Sequence, residues 1–172
     1  MMAAAVGLCV PFLLNALPDK PAWPLVLREG LPVRLPGYAA APSDPLPEEN
    51  ENEMGAYVEV SRFFQRIESQ SFAKQFRIAV QDYGSGKDLV PALRKAFAEA
   101  RQTSGVEAKE TEISGHKVFV VTDRSSGRPT TLVTVIVTPG RLVLGQGANV
   151  AGDEAARLVQ AVDFAKVEAA GR

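Results

Sequence analysis

A cluster of prolines in the N-terminal part is the strongest constraint on how this chain can fold. Eight of its twelve prolines lie between residues 18 and 47. Proline fixes the backbone angle φ and lacks an N–H donor, so this stretch is not expected to form a regular helix or a central strand. Apolar residues such as Trp23, Leu31 and Tyr38 recur in it, whereas disordered linkers are poor in them. Residues 18–54 are therefore predicted to be an extended arm that buries apolar side chains against a domain and ends in an acidic, mobile loop at residues 48–53.

The first 17 residues are almost wholly apolar, broken only by Pro11 and Asn15. This run is shorter than the roughly 20 residues that a membrane-spanning helix needs, so no stable membrane span is expected. It has the size of the apolar region of a signal peptide, although no Lys or Arg precedes Asp19. Bacterial lipid attachment uses a cysteine in the position of Cys9, and it expects a small residue before that cysteine. Leu8 stands there instead, which argues against a lipid anchor. The segment therefore predicts either a signal peptide, with a periplasmic or secreted protein, or a buried apolar segment of a cytoplasmic one.

Composition excludes several kinds of site. The chain has 172 residues, enough for one domain, and 46% of them are hydrophobic, enough for a core. Its formal net charge of −1 argues against a nucleic-acid partner. A single cysteine, Cys9, and a single histidine, His116, cannot form an intrachain disulfide or a zinc site of the Cys/His kind. No cofactor is expected.

Two segments rich in β-forming residues, 57–64 and 72–82, predict a hairpin. One register satisfies both the apolar pattern and the charges, because side chains alternate between the faces of a strand. It also sets two like charges opposite one another, which an anionic ligand or a third, acidic side chain would relieve. This register pairs Val58 with Ile78, Val60 with Phe76, Glu59 with Arg77, and Arg62 with Lys74.

The rest of the chain is predicted to form a helix, four strands and a final helix. Residues 88–102 and 152–169 place apolar residues at helical spacing. A polar edge or near-edge strand is predicted at 106–113, and two central strands at 117–122 and 131–138, since runs that are apolar on both faces are covered on both faces. Pro139-Gly140 then turns the chain into a strand at 141–144. This last turn is predicted to place Val137 opposite Leu142, and Val135 opposite Leu144.

These elements predict an α+β fold in the order β-β-α-β-β-β-β-α. The sheet should be mainly antiparallel with about six strands, because every connection between strands except the one through the first helix is short. Two helices pack on it, and the Pro-rich extended arm precedes it. The predicted organisation is a signal peptide or buried apolar segment at 1–17, the arm and acidic loop at 18–54, and the α+β domain at 55–172.

Candidate chemical groups are few. The glycine-rich residues 145–152 lie between a strand and a helix, as a phosphate loop does, but the spacing is wrong, which favours a flexible turn. His116 follows a tight turn and is interpreted as a surface residue rather than a base. Glu110 and Glu112, near Glu107 and Lys109, are interpreted as a solvated edge that resists sheet-to-sheet pairing rather than as an acid pair. The other cations considered are scattered: Arg62, Lys74, Arg124, Arg128 and Arg141. No catalytic, metal or cofactor residue is assigned.

Two segments carry a resemblance to a known fold group. The proline-and-aromatic motif Leu35-Pro36-Gly37-Tyr38 precedes the first predicted strand, and residues 76–83, FRIAVQDY, run from the second strand into a loop and helix. In this pattern, over roughly residues 31–169, the chain resembles the PsbP-like group of photosystem extrinsic proteins and exported bacterial lipoproteins. The resemblance implies helices packed on an antiparallel sheet and a non-catalytic role in the cell envelope.

The sequence therefore predicts a non-enzymatic accessory or binding protein of the bacterial cell envelope, with an unknown protein or small-molecule partner. One alternative is a subunit of a homodimer or larger assembly, completed by the apolar residues 23–35. A second alternative is an enzyme with an unrecognised carboxylate or arginine site, for which Glu110 and Glu112 are the candidates.

Overall fold

A computed structural model describes residues 23–69 and 72–170. An eight-stranded sheet and four helices make up this part of the chain, and every strand pairing is antiparallel. The α+β class and the antiparallel sheet are thus confirmed, while the predicted count of about six strands is too low. The strands are β1 (Ala39–Ala40), β2 (Glu48–Asn52), β3 (Gly55–Ser69), β4 (Phe72–Asp82), β5 (Val106–Ile113), β6 (His116–Asp123), β7 (Thr130–Thr138) and β8 (Arg141–Ala148).

The two additional strands come from the segment that was predicted to be an extended arm and a loop. Strands β1 and β2 both pair with β3, and the sheet then runs β3-β4-β8-β7-β6-β5. Helix α1 (Trp23–Glu29) precedes them, so the prediction that prolines exclude a helix here was wrong. Pro24 is the second residue of α1, where the missing N–H would be unpaired in any case, and Pro32 follows the end of the helix.

The hairpin of β3 and β4 forms with a different register from the predicted one. Val60 pairs with Val80 instead of Phe76, and Phe76 pairs with Phe64, a shift of four residues. The shift arises because β3 continues to Ser69, well past the predicted end at residue 64, which moves the turn toward the C-terminus. Because four is an even number, each residue still faces the predicted side of the sheet.

The register of β7 and β8 differs from prediction by one residue. Val135 pairs with Val143 instead of Leu144, and Ile136 pairs with Leu142, followed by an irregularity between Ile136 and Thr138. A slip of one residue transfers side chains to the opposite face. Leu142 and Leu144 therefore face away from Val135, contrary to the prediction.

Of the helices, α2 (Val90–Ala100) lies within its predicted range, while the predicted helix 152–169 is divided into α3 (Gly152–Val159) and α4 (Phe164–Ala169). Asp163 interrupts it: its side chain accepts from the backbone N–H of Lys166, and its own N–H donates to the carbonyl of Gly30 at 3.0 Å. Phe164 and Val167 are buried as a result, and Ala165 is exposed. None of the helices within residues 23–69 and 72–170 is long and apolar enough to cross a bilayer.

The helices cover the two faces of the sheet unequally. Helices α1, α3 and α4 pack on one face and enclose the main core, which includes Leu27, Val60, Val133 and Val159. Helix α2 packs on the other face near its β5–β6 edge, where the rings of Phe97 and Phe119 lie 4.7 Å apart. We call this second side the open face, because a part of it around Phe63 is left exposed.

Candidate functional site

The open face carries a cleft of about 840 Å³. Ligand sites typically occupy roughly 300–1,000 Å³ and combine apolar walls with a few polar groups. Strands β1, β3, β4, β7 and β8 all contribute to the lining, together with the residues that follow β1. Its lining includes Phe63, Gln65, Gln75, Arg77, Leu132 and Gln146.

One row of side chains crosses the floor of the cleft. Phe63 pairs with Arg77 on the adjacent strand, Arg77 pairs with Gln146, and Gln146 pairs with Leu132. Because opposite residues of paired strands share a face, all four side chains meet on the open face. The two apolar ends of this row are exposed, Phe63 to 56% and Leu132 to 38%. The row therefore presents two polar groups between two unburied apolar side chains.

Among the described residues, Arg77 is the only charged one that lines the cleft, and three groups hold its guanidinium. Its Nη1 donates to Oε1 of Gln146 at 2.8 Å, its Nη2 donates to Oε1 of Glu59, and its Cζ lies 5.4 Å from the centre of the Phe63 ring. Burial lowers the pKa of Arg77, although arginine remains charged at neutral pH. Nε of Arg77 is buried and has no hydrogen-bond partner within the described residues.

A chain of hydrogen bonds fixes Glu59 from the side away from the cleft. Nδ2 of Asn52 donates to Oη of Tyr83 at 2.8 Å, and Oη of Tyr83 donates to Oε1 of Gln81 at 3.2 Å. Nε2 of Gln81 then donates to Oε2 of Glu59 at 2.8 Å. Burial raises the pKa of Tyr83 against the opposing effect of the bond from Asn52, so the phenol keeps the proton that it donates. The chain leaves Glu59 with both carboxylate oxygens occupied.

The predicted contact between Glu59 and Arg77 is therefore present, although the register that suggested it is wrong. Glu59 pairs with Gln81 and not with Arg77, so the two charged side chains meet along the strands rather than directly across them. The long arginine side chain spans the difference. The charge pattern identified a true partner, whereas the backbone pairing had to come from the structure.

The predicted like-charge contact of Lys74 is also shifted. Lys74 pairs with Arg66 instead of Arg62, and two acidic side chains relieve the repulsion: Glu154 at 2.7 Å and Glu68 at 3.6 Å from Nζ of Lys74. Arg62 has Asp44 at 3.7 Å. Acidic side chains of the same chain thus provide the relief that a bound anion would have given.

Arg141 has a structural contact on the helix-covered face. Its Nε donates to the buried Oδ2 of Asp82 at 2.6 Å, and its Nη1 donates to the carbonyl oxygen of Val167 at 2.7 Å. Cations near the last turn of a helix satisfy carbonyl groups that have no partner within the helix. Arg141 therefore ties α4 to the sheet.

The other candidates lie apart from the cleft. His116 begins β6 and its ring centre lies 5.1 Å from that of Phe164, so it packs on α4 instead of standing free at a turn. Gly145 and Gly147 belong to β8, so the first half of the glycine-rich segment 145–152 is strand, contrary to the predicted turn. In β8 the two glycines leave room for the side chains of Phe76, Val150 and Val159.

The carboxylates of β5 lie at the edge of the sheet, as predicted. Glu110 accepts from Lys117 at 2.6 Å, and this bond lowers the pKa of the Glu110 carboxyl. Glu107 lies 3.5 Å from Arg124, and Lys109 lies 3.4 Å from Asp153. Glu112, Ser125, Ser126 and Arg128 are exposed in the same region. Within residues 23–69 and 72–170, no cluster of His, Cys, Asp and Glu could hold a metal ion.

Sequence reasoning missed the cleft as a site. Its signals were weak: a second phenylalanine on the polar side of β3 at Phe63, and a glutamine between two glycines at Gln146. Neither has meaning until the pairings place the two strands on either side of β4. Searches against protein-family models, curated proteins and solved structures found no match to this chain.

Proposed function

We propose that this chain is a non-enzymatic binding protein whose ligand site is the cleft on the open face. The observation that carries the proposal is the guanidinium of Arg77, held by Glu59 and Gln146 in a cleft whose walls are otherwise mainly apolar. The N–H donors of Arg77 are held in place before any ligand binds. Such preorganised groups lose little conformational entropy on binding. Among the described residues, the lining has no Ser, Cys or His nucleophile and no Asp, Glu or His base that could activate Thr130 or Thr131, which supports binding over acid–base or nucleophilic catalysis.

Binding of the uncharged fluorescent dye Nile red tests whether the cleft is a ligand site. Leu132→Gln removes an apolar wall, while Leu46→Gln changes an equally apolar but 68%-exposed side chain that does not line the cleft. We expect Leu132→Gln to weaken the binding of Nile red about fivefold, because the dye covers part of the leucine, and Leu46→Gln to leave it unchanged. No binding to the wild type, or equal weakening by both variants, would contradict the proposal.

A location in the bacterial cell envelope remains part of the proposal. It is supported by the apolar run at residues 1–17, which lies outside the residues that the structure describes. The intact mass of the protein purified from its own cells tests it. Loss of about sixteen N-terminal residues would support export. The full-length mass would instead favour the cytoplasmic alternative.

A second candidate function is that of a subunit in a homo-oligomer formed through residues 23–35. The exposed apolar side chains of Leu25, Val26 and Val33, the last exposed to 68%, favour it. Sedimentation over a range of protein concentrations tests this candidate. A dimer that Val33→Ser weakens would support it, and a monomer at the highest concentration would exclude the homodimer.

A further inference from the structure

The polar floor of the cleft carries a charge that is already balanced. Arg77 lines the cleft, and its partner Glu59 lies behind it, buried and bonded through both oxygens. Glu48 stands opposite Glu59 on the neighbouring strand and adds a second negative charge nearby. An anionic ligand would gain the attraction of Arg77 but would also be repelled by these two nearby carboxylates and lose its hydration. The local charges therefore favour an uncharged ligand.

The hydrogen bonds determine what the cleft offers to such a ligand. Oε1 of Gln146 accepts from Arg77, so the Nε2 amide of Gln146 is left as a donor. A guanidinium has five N–H groups, and those of Arg77 engage only Glu59 and Gln146 among the described residues. The central row of the floor thus presents donors, and it is complementary to an oxygen that accepts.

Apolar side chains flank these donors at both ends of the row, while Gln65, Gln75 and Thr130 contribute polar groups to the adjacent row of the lining. Phe63 and Leu132 stand at the two ends of the row, with Ala148 and Pro42 in the surrounding lining. The large exposed fractions of Phe63 and Leu132 mean that a ligand would remove considerable apolar surface from water. The geometry favours a molecule with an apolar body and one short polar end.

We infer that the ligand is an uncharged amphiphile whose polar end is a hydrogen-bond acceptor, such as the carbonyl oxygen of an ester or amide, bound at Arg77 and Gln146. This inference rests on the proposed function of the cleft and names its ligand class. It makes Glu59 the specificity-determining residue. The carboxylate of Glu59 compensates the positive charge of Arg77 without lining the cleft itself.

Methyl decanoate and decanoate differ in charge but share an acyl chain, and both can be assayed by displacement of Nile red. In the wild type we expect methyl decanoate to displace the dye at lower concentration. In Glu59→Gln, which leaves Arg77 uncompensated, decanoate should gain about tenfold in affinity while methyl decanoate changes little. The control is Glu49→Gln, which makes the same chemical change at an exposed carboxylate on the adjacent strand β2. It should leave the ratio of the two affinities unchanged.

A second measurement needs no variant, in case Glu59→Gln does not fold. As the pH falls and decanoate takes up a proton, its affinity for the wild type should rise toward that of the ester. Stronger binding of decanoate than of the ester, or a fall in its affinity on protonation, would overturn the inference and leave the binding function intact. Failure of both probes to displace bound Nile red would overturn the inference, and absence of Nile red binding would overturn the proposed function itself.

Discussion

Arg77 and Gln146 stand directly opposite one another on β4 and β8, and Nη1 of Arg77 donates to Oε1 of Gln146 at 2.8 Å. This contact lies at the centre of the open face and joins the two strands that form the middle of the cleft. It also continues the hydrogen-bond chain that begins at Asn52 and passes through Glu59. The middle of this network is buried, so displacement of Glu59 or Gln81 would leave a buried donor or acceptor unpaired.

Gly145 provides a test of the packing between β8 and α3. A Cβ at this position would overlap the side chain of Val159 and lie 2.9 Å from Cζ of Phe76. Gly145→Ala is expected to lower the free energy of unfolding by about 2 kcal/mol through overpacking. Gly86→Ala is the control, since nothing lies within 4 Å of its added Cβ. Urea unfolding measures both, and equal stability of the two variants would contradict this account of β8.

The ion pair of Asp82 with Arg141 should contribute far more than the ion pairs at the surface. Asp82→Asn leaves the guanidinium of Arg141 without its charged partner in a site where that side chain is only 11% exposed. We expect a loss of about 3 kcal/mol in the free energy of unfolding. Asp153→Asn removes an exposed partner of Lys109 and should cost less than about 1 kcal/mol. Chemical denaturation of both variants checks the difference.

Glu154 links stability to pH. Burial opposes its ionisation, but the hydrogen bonds from Lys74 and Tyr38 outweigh that effect and lower the pKa of the carboxyl. A group whose pKa is lower in the folded state contributes stability above its unfolded pKa, about 4.3 for a glutamate, and loses it as the pH falls through the folded value. The free energy of unfolding should therefore fall less steeply on acidification in Glu154→Gln than in the wild type. Parallel pH profiles for the two proteins would contradict this assignment.

Thr131 satisfies two buried groups at once. Its Oγ1 donates to the carbonyl oxygen of Val150 at 2.7 Å and lies 3.1 Å from Oγ1 of Thr122. Thr131→Val keeps the shape but leaves both groups unpaired, and we expect a loss of about 2 kcal/mol in the free energy of unfolding. Thr130→Val, at an exposed position next to it, should have little effect. Thermal unfolding of the pair distinguishes the buried hydrogen bonds from a general intolerance of valine in β7.

Local patterns predicted the hairpin faces but not the strand pairing. Alternation along β4 correctly placed Phe76 and Ile78 on one face, because it depends only on neighbouring residues. The pairing depends on where the turn lies, and the extension of β3 to Ser69 moved it. In β7 and β8 an irregularity of one residue near Val137 was enough to transfer Leu142 to the other face.

The amino-acid sequence by itself determined the α+β class, the antiparallel sheet and the edge position of β5, because these follow from the local spacing of apolar, polar and turn residues. Only the tertiary structure decided that the predicted arm and acidic loop contain a helix and two strands, since their partners on β3 and α4 are distant in the chain. The cleft was also decided at that level. Phe63, Arg77, Gln146 and Leu132 come from four strands, and long-range pairing alone brings them into one row.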